Sequence, residues 1–85
     1  MVRDPGRELT RLVAEELRER RTTLGLSLEA VAERAGLHRT SLGLIERGRR
    51  GMTIDAAARV AWALDLSLAQ LLAKAEAEAR TTAGD

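Results

Sequence analysis

The chain has 85 residues, 45% of them apolar, with one Trp, no Phe or Tyr, no Cys and a formal net charge of +1 at pH 7. This length supplies one small core and no deep catalytic cleft, and the near-neutral balance excludes coating nucleic acid by bulk charge. Without Cys there is neither a disulfide framework nor a thiolate metal site. With no membrane-length apolar run and no leader-like start, a cytoplasmic, non-membrane protein is expected.

The apolar residues are mostly Ala, Leu and Val, and proline occurs only at Pro5, which favours helices over strands. The spacing predicts an all-α, five-helix domain covering residues 1–85, with its core at about 9–75 and frayed ends at 1–4 and 81–85. Asp4 caps the first helix and Pro5 occupies its first turn. Leu9, Leu12, Val13, Leu17 and Leu24 fall on one stripe over residues 5–24, and Gly25 ends the helix. Ser27 caps a second helix that carries Val31, Ala32 and Ala35 inward, and Gly36 supplies the positive φ of a tight turn. A third helix starts near His38, carries Leu42 and Ile45, and ends at Gly48. Residues 49–52 connect it to a fourth, capped by Thr53, with Ile54, Ala57, Val60, Ala61 and Leu64 on one face. Asp65 stands at a left-handed C-cap. Ser67 caps a fifth helix with Leu68, Leu71, Leu72 and Ala75 apolar, which residues 75–80 prolong into solvent.

Two short helices meeting at a glycine turn form a helix-turn-helix, whose second helix is the one presented to DNA. Charge is concentrated there. Four arginines and one glutamate lie between positions 39 and 50, whereas Glu76, Glu78 and Asp85 leave the tail acidic. Local rather than total charge meets phosphates, so such a patch fits a site-specific binder. The single His38 is too few for a metal site, which takes three or four ligands, and either caps the third helix or lies near a phosphate. With no glycine-rich phosphate loop and no nucleophile beside a base, no enzymatic constellation is present.

Leu-Arg-Glu-Arg-Arg-Thr-Thr-Leu-Gly-Leu-Ser at 17–27, Val-Ala-Glu-Arg-Ala-Gly-Leu at 31–37, Ile-Glu-Arg-Gly at 45–48 and Ala-Leu-Asp-Leu-Ser at 63–67 occur in order. Together they resemble the Cro/phage-repressor type helix-turn-helix family, also called XRE. His-Arg-Thr at 38–40 before Ile-Glu-Arg-Gly further resembles the controller proteins of restriction–modification systems. The resemblance implies a homodimer that binds a palindromic operator in double-stranded DNA without a cofactor, as a transcriptional regulator of its own or another gene.

It also implies roles for particular residues. Arg39, Thr40 and Leu44 fall where the family reads base edges, and a guanidinium can donate to guanine O6 and N7 together. Ser41, Arg47, Arg49 and Arg50 fall where it meets phosphates. Each has a plainer alternative: Arg39 solvated, Thr40 and Ser41 capping a helix, Leu44 a surface leucine, and the arginines a solvated run at a helix C-terminus. Gly43 lets the helix approach the groove closely, and Leu28 stands where a glutamine often touches the backbone. Glu46, a negative charge in a DNA-facing helix, matches a residue that pairs with a helix 1 arginine, here Arg21.

Val60, Ala61 and Leu64 define the inner face of the fourth helix, leaving Trp62 elsewhere. Either it packs within the monomer or it makes a dimer contact; an interface of Trp62, Leu66, Leu68 and Leu72 is expected. The rival reading of the chain is an interaction module, antitoxin-like, that binds a protein partner through this end.

Overall fold

The computed structural model describes residues 4–48 and 51–83, which form five helices. In α1 (Pro5–Thr23), the Asp4 side chain accepts the Arg7 N–H at 3.0 Å, satisfying one of the donors that a helix start leaves open. Leu12, Val13 and Leu17 bury its inner stripe. Leu24 does not belong to that stripe: it is the C-cap, 45% exposed, because the helix has already ended at Thr23.

Three of the four connections share one device. After α1 the chain reads Leu24-Gly25-Leu26-Ser27, after α2 (Leu28–Ala35) Ala35-Gly36-Leu37-His38, and after α4 (Ile54–Ala63) Leu64-Asp65-Leu66-Ser67. Gly25, Gly36 and Asp65 are left-handed at φ 70°, 69° and 57°. The following leucine donates its N–H back into the helix just ended, Leu26 to Arg21, Leu37 to Ala32 and Leu66 to Ala61, at 2.8–3.1 Å. This is the Schellman turn, which satisfies orphan carbonyls. Each such leucine also packs on the core, and the next residue caps the following helix. In three residues the chain stops one helix, anchors the turn and starts the next.

α3 (Arg39–Glu46) begins where His38 Nδ1 accepts the Thr40 N–H at 3.1 Å, so His38 is a capping residue. The helix ends at Glu46 with Arg47 as C-cap, two residues before the glycine expected to close it; Gly48 follows in the left-handed region at φ 67°. Thr53 caps α4, whose Ala57, Val60 and Ala61 are buried. Ile54 is not inward: it is 71% exposed, at the rim of an apolar hollow of about 120 Å³ between α1, α4 and α5. As the first residue of α4 it lies one turn beyond the core it was expected to join.

α5 (Leu68–Ala83) turns one face to the core through Leu71, Ala75 and Ala79. Ala75 is fully buried and Ala79 packs on the core, so residues 75–80 lie along the body rather than projecting from it. Small alanines allow close packing against α1, and Lys74 Nζ reaches Glu16 Oε1 at 3.0 Å. The helix extends past position 81, where fraying was expected, to Ala83. Leu17, Val31, Leu42, Val60 and Leu64, contributed by α1, α2, α3 and the end of α4, are the largest fully buried side chains. Among the described residues no single helix is long and apolar enough to cross a membrane.

Candidate nucleic-acid interface

One face of α3 is locked inward. Leu42 and Ile45 enter the core, and Glu46 is buried with its side chain only 4% exposed. Arg21 donates Nε to Glu46 Oε2 at 2.7 Å and Nη2 to Oε1 at 3.0 Å, a two-pronged pair, and gives Nη1 to the Leu26 carbonyl at 2.8 Å. One guanidinium thus joins α1, the first turn and α3. The carboxylate that would repel DNA from this helix is turned away from its outer face. At the other end Gly36 sets the α2–α3 angle, and a Cβ there would stand 3.1 Å from Arg59 Nη1.

The outer face carries the residues expected to touch DNA. Arg39 and Thr40 are exposed at the start of α3, Leu44 lies one turn on and is half-buried without joining the core, and Ser41 is half-buried beside them. Thr40, Leu44 and Arg47 follow at helical spacing, so α3 presents a hydroxyl, an apolar patch and a guanidinium in a row. Arg39 and Arg47 have no ion-pair partner among the described residues. Arg49 and Arg50 lie outside the described residues. Gly43 is buried, and a Cβ on it would meet only Arg47 Nη2, at 3.8 Å. The Arg47 side chain therefore reaches back toward Gly43, which does not face an open groove. Leu28 is half-buried against the core.

Trp62 is 72% exposed and finds no cover within the monomer, which removes the internal-packing alternative. Leu66, Leu68 and Leu72 are half-buried and partly occupied by the core, so any surface they share with Trp62 is narrower than their residue types suggest.

A further stripe, on α1, lies outside the residues expected at the interface. Arg7, Arg11 and Arg18 lie four and seven residues apart, a spacing that puts them on one helix face. That face borders two adjoining hollows, of about 600 and 390 Å³, which share Arg11, Arg47 and Gly48. The signal was legible as helical periodicity in arginine, but periodicity alone does not say which element faces it.

A short α2, a left-handed glycine turn and an α3 that turns cations outward and its carboxylate inward define a DNA-binding helix-turn-helix domain. A profile of the helix-turn-helix domain family matches residues 12–73, and the chain belongs to that family. It is 37% identical over 67 residues to the control protein C.SmaI of Serratia marcescens, covering 79% of this chain and 80% of that protein. The crystal structure of the restriction–modification controller protein C.AhdI from Aeromonas hydrophila superposes with a TM-score of 0.68 at 37% identity, over 73% of this chain and 94% of that one. The C.Esp1396I controller tetramer, solved in complex with its natural 35 base-pair operator, matches with a TM-score of 0.70 at 27% identity, over 79% of this chain and 92% of that one.

Proposed function

We infer that this protein is a sequence-specific regulator of transcription that binds a palindromic operator as a homodimer, one α3 in each of two major-groove half-sites about 34 Å apart. The observation that carries the reading is the sorting of charge on α3: Glu46 paired inward with Arg21, Arg39 and Arg47 outward without carboxylate partners. Arg39 and Thr40 at the helix start, with Leu44 beyond them, read base edges; Leu44 offers a thymine methyl an apolar contact. Ser41, Arg47, Arg49 and Arg50 hold phosphates and set register without specifying sequence.

The second copy docks through Trp62, Leu66, Leu68 and Leu72, which accounts for the exposed indole without a foreign partner. Residues 1–85 act as a single domain that is cytoplasmic, needs no cofactor and performs no catalysis. The likeness to controller proteins makes an operator upstream of its own gene the first target to test. Titration of the protein against that DNA and against random duplex, at two salt concentrations, decides the matter. A specific-to-random ratio of about 10³ or more is expected; equal affinity for both would refute operator recognition there.

A further inference from the structure

Two carboxylates, Glu15 and Glu46, line the hollows between α1 and the end of α3, and both are already engaged. Glu46 is held by Arg21, and Glu15 accepts from Arg11 at 2.6 Å. Arg11 is further tied to Glu8 at 2.7 Å, so two carboxylates already match its charge. Arg7, Arg18 and Arg47 are left. They are exposed, line the same continuous depression and have no ion-pair partner among the described residues. Gly48 and Gly51 also line it, and a Cβ on either would meet nothing within 4 Å among the described residues. Arg7 and Arg11 precede residue 12, where the family match begins.

We propose that this depression is a second phosphate-binding surface, in which Arg7 and Arg18 of α1, with Arg47, hold the sugar-phosphate backbone flanking the half-site that α3 reads. The inference rests on the DNA-binding reading and extends its footprint onto a helix that the helix-turn-helix itself does not use. Unpaired guanidiniums on both walls match a polyanion, and side-chain-free glycines let a backbone come close. Arg7 and Arg18 are 11 residues apart on α1, about 16 Å at about 1.5 Å per residue. That is long enough to follow several phosphates, which advance about 3.4 Å along the axis per strand. Arg11, clamped by Glu8 and Glu15, spaces the two active cations and does not itself bind.

The salt dependence of binding tests this with the full chain. Wild type, Arg7→Gln, Arg18→Gln and Arg47→Gln are titrated against duplex from upstream of the gene and against random duplex over a range of salt, with Arg34→Gln, on α2 and lining neither hollow, as control. Each lost phosphate contact reduces the slope of log K against log salt by about 0.9 on both duplexes. Arg7→Gln and Arg18→Gln are expected to show that loss with the ratio of specific to random binding unchanged, and Arg34→Gln to match wild type. If Arg47→Gln lowers the slope while Arg7→Gln and Arg18→Gln leave it unchanged, the α1 surface is refuted and the DNA-binding function stands. If wild type binds neither duplex, both fall. Circular dichroism of each variant separates lost contacts from lost folding.

Discussion

Arg21 and Glu46 are 25 residues apart in sequence and joined by two hydrogen bonds of 2.7 and 3.0 Å, with side chains 14% and 4% exposed. The pair fixes the orientation of α3 on α1, and therefore where Arg39 and Thr40 point. Its burial makes it costly to break by halves. Arg21→Ala or Glu46→Ala strands a buried charge and is expected to lower unfolding free energy by about 3–5 kcal/mol, whereas the double change Arg21→Met with Glu46→Leu costs less than either. Urea denaturation of the three variants measures this; a double variant as unstable as the sum of the singles would show that the pair is not coupled.

Arg39 and Arg47 are both exposed, at opposite ends of α3, and their substitutions should be distinguishable. Arg39→Ala is expected to cost about 1–3 kcal/mol on operator DNA and little on random duplex, relaxing discrimination at one base position. Arg47→Ala weakens both duplexes alike. Equal losses on the two for Arg39→Ala would contradict its role at a base edge.

Backbone conformation gives a third set of outcomes. Asp65 sits at φ 57°, where a side chain is strained, so Asp65→Gly is expected to raise stability by about 1 kcal/mol. Gly36→Ala adds strain at φ 69° and a 3.1 Å approach to Arg59, and should lower it by about 1–2 kcal/mol. Gly43→Ala, inside a helix with its nearest neighbour at 3.8 Å, should gain about 1 kcal/mol. Thermal melts of the three rank them, and the signs alone decide.

Trp62→Ala removes an indole that the monomer does not cover, so its effect should fall on association and not on folding. Sedimentation over a concentration range is expected to show a weaker dimer with an unchanged helical signal. A dimerisation constant equal to that of wild type would place the interface elsewhere.

Lys74 on α5 lies against Glu16 of α1, and the hydrogen bond and charge of that carboxylate raise its pKa above the ordinary lysine value of 10.5. A raised basic group stabilises the fold at pH below its unfolded value and loses that contribution as pH climbs through the folded one. The difference in melting temperature between wild type and Lys74→Met is therefore constant across neutral pH and closes only in strong alkali. Both groups are partly in water, so it is a small difference.

The local punctuation of this fold was legible in the residues. Asp4, Ser27, Thr53 and Ser67 cap helices, and Gly36 and Asp65 turn left-handed, because a cap or turn depends on atoms within about three residues and meets the same chemistry in any context. The five-helix order follows from those signals and from the apolar spacing between them.

Position against other elements was decided by the tertiary structure. Ile54 has an inward period yet is exposed, because α1 and α5 leave an open apolar hollow beside the first turn of α4 instead of closing over it. Ala75 is buried as its spacing implies; the run that follows it to position 80 reads as solvated, yet Ala79 packs on the core because α1 lies alongside α5. The periodicity of Arg7, Arg11 and Arg18 marks a stripe, and only the packing of α1 beside α3 brings it to Arg47. A sequence specifies which face of a helix is apolar or charged; what that face meets depends on contacts between residues far apart in the chain, which no local pattern encodes.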